Sequence, residues 1–118
     1  MNREEILNMP AGREMDALVA EKVMGFIKLQ FPGLPKYQKP TKDGVVPLYY
    51  VPNFSTDISA AWEVVEQVTK KSKFTVIEIR GGNELYQVAF WYPLKDSWHA
   101  EGLLPLAICR AALLTVCE

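Results

Sequence analysis

Ser55, Asp57 and His99 supply the three residue types of a hydrolytic triad: nucleophile, acid and base. The pattern around them argues for a different use. No nucleophile elbow surrounds Ser55, which lies in Phe54-Ser55-Thr56-Asp57 directly ahead of a helical run. Serine, threonine and aspartate at that position offer oxygens to the unpaired N–H groups of a helix start. Capping is therefore the favoured role of Ser55, Thr56 and Asp57, and no catalytic residue is expected. One histidine and two cysteines on an apolar terminal run give no metal-ligand spacing. There is no P-loop, GxGxxG or HExxH pattern. No metal and no cofactor are expected, and a non-enzymatic protein is the leading expectation.

The same stretch has the chemistry of recognition. A helix start presents amide N–H groups and the positive end of a dipole, a ready place for phosphate. Tyr49, Tyr50, Phe54 and Trp62 lie on or beside it, and Asn53 adds an amide. Trp98 and His99 fall in a segment that reads as a loop able to fold over it. Aromatic rings stack on nucleobases, while amides and the Arg80 guanidinium can hold phosphates. Asp57 would compete with an incoming phosphate, and suits a base edge or a ribose hydroxyl better. The expected ligand contacts are thus Tyr49, Tyr50, Asn53, Ser55, Thr56, Asp57, Arg80, Trp98 and His99. For Tyr49, Tyr50 and Trp98, packing and binding both stand as readings. Trp62, on the expected inner face of its helix, reads as core.

These residues need elements to position them. Asn2 can cap one or two turns to Asn8, and Pro10 opens a longer helix with Met15, Leu18, Val19, Val23 and Phe26 as its apolar stripe. Gly25 is a stop signal, with a short strand possible over Phe26 to Phe31. Residues 32–47 hold four prolines and two glycines and read as a loop; its Lys36, Lys39 and Lys42 favour a solvated segment over a phosphate-binding arm. Leu48 to Val51 fits a short strand ended by Pro52. The helix after Asp57 runs to about Lys71, with Ile58, Ala61, Trp62, Val65 and Val68 inward. Phe74 to Arg80 and Leu85 to Tyr92 alternate as strands about a Gly81-Gly82-Asn83 turn. The second strand is apolar on both faces, which calls for cover on both sides or for a second subunit on one. The last helix, from about Leu104, has Arg110 as its one charge before Glu118 and must dock in a core or an interface.

A chain of 118 residues suits a single domain, here 1–118, with enough length to bury a core without staples. The net charge of −1 provides no global basic field, so nucleic acid is disfavoured as a partner. No apolar run approaches the roughly 20 residues of a membrane span, and the first residues lack the pattern of a signal peptide. Cys109 and Cys117 share one helix about 12 Å apart, beyond disulfide reach. Reduced thiols and a cytoplasmic setting follow as expectations.

Three segments together, NREEILNMPAGREMDALVAEKVMG, YYVPNFSTDISAAWEVVE and PLAICRAALL, resemble the phage ABA sandwich domain family of small phage and prophage proteins. The resemblance implies an α+β fold in which helices pack around a small antiparallel sheet, an αβα sandwich of about three helices and three to four strands. It implies no particular activity, but a phage setting makes two roles natural. One is a non-enzymatic sponge that sequesters a nucleotide-type signal of host antiviral immunity in the host cytoplasm. The other is an accessory or structural protein working through protein contacts. The apolar hairpin and last helix add the expectation of a homo-oligomer.

Overall fold

The last helix is the one on which the others are assembled. In the computed structural model, which describes residues 2–30, 35–71, 75–82, 85–91 and 97–117, α4 (Leu104–Cys117) contacts α1 (Arg3–Asn8), α2 (Arg13–Lys22) and α3 (Ile58–Lys71). It also packs on β5 (Leu85–Trp91) and β6 (Ser97–Gly102). Ala107, Ile108, Cys109 and Ala111 to Leu114 are fully buried. A helix apolar nearly all round is stable only where it is covered on every side. Its one charge is also used: Arg110 donates from Nε and Nη2 to the Met9 carbonyl (3.2 and 2.8 Å) and from Nη1 to the Glu101 carbonyl (2.8 Å). Burial lowers the pKa of this guanidinium, and the carbonyl contacts take the place of the water it gives up.

The fold is α+β, as the resemblance implied; the described residues form four helices, where about three were expected, and two antiparallel sheets of three strands each, where one small sheet was. One sheet has the order β1 (Ile27–Lys28), β2 (Tyr37–Thr41), β3 (Gly44–Leu48); the other has the order β4 (Val76–Gly82), β5, β6. The second is the expected hairpin extended by one strand, with Ile79 opposite Val88 and Val88 opposite Ala100. Its Val88, Phe90 and Ala100 enter the core.

Four expectations about elements need correction. The proline-rich span forms a strand pair: Tyr37 faces Leu48 and Thr41 faces Gly44. Prolines end a strand only where their missing N–H is needed. Pro47 lies on the outer strand β3, and Pro40 lies beyond the two residues that β1 pairs with β2. The strand expected over Leu48 to Val51 therefore closes at Leu48. Trp98 and His99 belong to a strand, β6, with backbone opposite Phe90 and Ala89. The helix entered near Pro10 begins at Arg13, with Gly12 as its cap position. Gly25 acts as the expected stop: its φ of 73° turns the chain so that Met24 and Phe26 donate back to the Val19 and Ala20 carbonyls.

Trp62 and Phe54 exchange the environments expected of them. The buried stripe of α3 is Ala60, Ala61, Val64, Val65 and Val68, while Trp62 is 45% exposed and Ile58 is exposed too. Alanine and valine let α3 approach α4 closely, and an indole on that face would hold the helices apart. Phe54, grouped with the aromatics on or beside the helix start, is fully buried with its ring tilted against Phe26 at a centroid distance of 6.2 Å.

Candidate ligand-binding cleft

Between β3 and α3 the chain from Tyr49 to Asp57 has no regular structure, and local bonds hold it. Thr56 and Asp57 donate their N–H groups to the Asn53 carbonyl (3.2 and 2.9 Å). The Asp57 carbonyl accepts from Ala61, and its side chain accepts from Ser59 (3.1 Å). Asp57 is thus the cap of α3, the role expected of it.

Ser55 has a different role from the one expected. It is 2% exposed and turned away from α3, toward α2. Its N–H and its hydroxyl both donate to Asp16 Oδ1 (2.8 and 2.7 Å), and its Oγ accepts the Gly12 N–H (3.0 Å). Gly12 precedes the first turn of α2, so one hydroxyl satisfies an orphan amide of that helix and tethers it to the loop. Asp16, 5% exposed, is a buried carboxylate whose partners make burial tolerable. It also lies beside Cys109: burial first, and the Asp16 charge second, push that thiol's pKa well above its ordinary value.

Phe54 and Ser55 point down, which leaves the residues around them on a surface concavity. Tyr49, Tyr50, Val51 and Asn53 form one wall. Arg13, Asp16 and Ala17 of α2 form another, closed by Lys36 and Tyr37 at the start of β2. The cleft is about 490 Å³, and its rim holds two tyrosines in solvent, Tyr49 at 52% and Tyr50 at 83% exposure. Such a site has two cations for an anionic group, aromatic surface for a ring, and the Asn53 amide and Asp16 carboxylate as polar anchors. A second concavity of about 530 Å³ lies among Arg3, Leu7, Gln87, Ala100, Glu101 and Arg110. It is less suited to a ligand, because the Arg110 guanidinium there is committed to two backbone carbonyls.

Of the residues expected to meet a ligand, the cleft brings together Tyr49, Tyr50 and Asn53. Ser55 lies behind its floor, holding Asp16. Thr56 and Asp57 are drawn into the turn that caps α3. Arg80 is on β4 in the other sheet, where its Nε donates to Glu78. The side chains of Trp98 and His99 lie outside the described residues. Arg13 and Asp16 had not been singled out, and Lys36, weighed with Lys39 and Lys42 as part of a phosphate-binding arm, had been read as solvated, whereas it lines the cleft. Asp16 carried a legible signal, because it shares a helix face with Val19, Ala20 and Val23, and an acid on a buried stripe needs a partner. Nothing local marks Arg13, and the lysine cluster that holds Lys36 gives no sign of which lysine meets a site; only the folded chain brings both to the tyrosines.

The Phage ABA sandwich domain family matches residues 17–113, from the second turn of α2 to the last turns of α4. A solved structure of a phage protein from Bacillus cereus ATCC 14579 has a similar fold, with a TM-score of 0.61 at 22% identity over 94% of this chain and 92% of that one. No curated protein is significantly similar to the chain.

Proposed function

The chain belongs to the phage ABA sandwich domain family, and on that premise we propose that it is a binding protein whose cleft sequesters a nucleotide-type small molecule without converting it. The observation that carries this is the pairing of Arg13 and Lys36 with Tyr49 and Tyr50 around one concavity of about 490 Å³. A nucleotide has two parts, an anionic phosphate and a flat aromatic base, and the cleft has a counterpart for each. Asn53 and the Asp16 carboxylate supply polar partners for a base edge or a ribose hydroxyl. Binding without turnover is favoured because the Ser55 hydroxyl, the one serine hydroxyl considered as a nucleophile, lies outside the cleft lining and is committed to Asp16 and Gly12. The occupant we propose for this cleft is a nucleotide signal of host antiviral immunity, whose capture in the host cytoplasm would disarm it by mass action.

Incubation of the pure protein with a panel of cyclic and linear nucleotides, followed by calorimetry and by mass spectrometry of what heating releases, tests this. Intact ligand is the expected product. Arg13→Ala is expected to weaken binding roughly 10- to 100-fold, the loss of a charge-assisted contact, and Tyr50→Ala to weaken it with little change in melting temperature. Release of a converted product would make the protein an enzyme, and no binding across the panel would end the proposal.

A second role, as an accessory protein acting through protein contacts, is favoured by the other sheet. Val76, Leu85 and Trp91 are exposed on the face of β4 and β5 that points away from α4.

A further inference from the structure

The two sheets treat their edges differently. Edge strands offer unpaired backbone groups, and proteins blunt them with prolines, short strands or a covering group. The first sheet has a two-residue strand at one edge and Pro47 in the strand at the other. On β6, an edge of the second sheet, the Glu101 carbonyl is occupied by Arg110. The remaining edge is β4. It runs seven residues, Val76-Ile77-Glu78-Ile79-Arg80-Gly81-Gly82, with no proline and no lysine. Among the described residues no strand pairs with its outer side. Val76 and Ile79 are exposed along it.

We propose that β4 pairs with β4 of a second copy of this chain, antiparallel and centred on Ile79, to make one six-stranded sheet across a homodimer. Charge selects this register. Residues directly opposite in an antiparallel pair project from the same face, so only registers that match outer face with outer face keep both cores on one side. Centring on Glu78 sets two carboxylates against each other, and centring on Arg80 does the same to two guanidiniums. Centring on Ile77 sets Glu78 against Val76, and centring on Gly81 sets Arg80 against Gly82, so neither register pairs the opposite charges. Centring on Ile79 places Glu78 opposite the partner's Arg80 on the outer face, twice per dimer by symmetry. Ile79 then meets its own copy on the inner face. Ile77 meets Gly81, over which the Tyr86 ring already lies. The Glu78–Arg80 contact within one strand becomes a ring of four alternating charges. The proposal is independent of what occupies the cleft.

Light scattering and sedimentation of the full chain test it. The expected mass in the micromolar range is twice the 13.4 kDa of one chain. Glu78→Arg and Arg80→Glu are each expected to raise the dimer dissociation constant roughly tenfold, since each turns two attractive cross-strand pairs repulsive. The double variant is expected to restore it. Both positions are on the surface, and circular dichroism verifies that each variant is folded. In a Cys117→Ser background, Ile79→Cys is expected to form a covalent dimer on oxidation, because Cys109 is buried and the two introduced thiols face each other. A mass of one chain, a dimer indifferent to both single reversals, or a double variant that stays dissociated would each overturn the proposal.

Discussion

Removing the Ser55 hydroxyl is the sharpest test of how the cleft is held together. Ser55→Ala deletes the donor to Asp16 Oδ1 at 2.7 Å and the acceptor for the Gly12 N–H at 3.0 Å. A hydrogen bond to a charged group is worth about 1.5–3 kcal/mol, and an amide left partly buried without a partner adds about 1 kcal/mol. The sum, about 3 kcal/mol, is a large share of the roughly 5–15 kcal/mol that a domain has in total. It corresponds to a melting temperature lower by about 10 °C for a chain of this size. Urea unfolding at pH 7, followed by tryptophan fluorescence, would report it as a lower midpoint at unchanged slope. Asp16→Asn keeps an oxygen that can accept from the Ser55 N–H (2.8 Å), so it is expected to cost less than Asp16→Ala. Combined with Ser55→Ala it should show a coupling above about 1 kcal/mol, the mark of residues acting through one another. A Ser55→Ala cost under about 0.5 kcal/mol, or strict additivity with Asp16→Asn, would show that the network does not hold the loop to α2.

Two further outcomes follow from burial. Phe54→Ala is expected to destabilise by about 3–5 kcal/mol and Trp62→Ala, whose indole is only about half covered, by about 1–2 kcal/mol, as read by thermal or urea unfolding; equal costs would contradict the placement of the two rings. Cys109 gives a pH dependence. In the unfolded chain its thiol ionises above its ordinary value of 9.0, whereas in the folded chain it stays protonated. The native state then holds the extra proton, so stability present below pH 9 is lost as pH rises. Between pH 8 and pH 10 the wild type is expected to lose about 1.4 kcal/mol more than Cys109→Ala. Parallel curves for the two proteins would show that the thiol is not shielded.

The parts of the fold that were legible in the sequence are those governed by local pattern. The stripes of α2 and α4 and the β4–β5 hairpin follow from spacing that any covered helix or strand must have. Trp62 was misplaced because a helical stripe can be drawn through it as well as past it, and the choice depends on how near α4 comes. The β2–β3 pair was hidden by prolines, whose cost depends on which side of a strand has a neighbour. The cleft was half legible. Tyr49, Tyr50 and Asn53 lie together in sequence beside a helix start, but Arg13 and Lys36 reach them only through the tertiary path of α2 and β2. Ser55 looked like a cap, and its partner proved to be 39 residues away.

The position of α4 also bears on how the chain acquires its shape. α4 is the last element in chain order, yet α1, α2, α3 and two strands all rest on it. Arg110 alone ties it to Met9, a contact spanning 101 residues. The preceding helices therefore have their apolar stripes uncovered until α4 is in place, whereas every strand pair described joins consecutive strands and can form from neighbours alone. High contact order of this kind slows folding, because loop closure must precede the contacts that reward it. Without α4 the apolar faces of α1, α2 and α3 have no common surface on which to close.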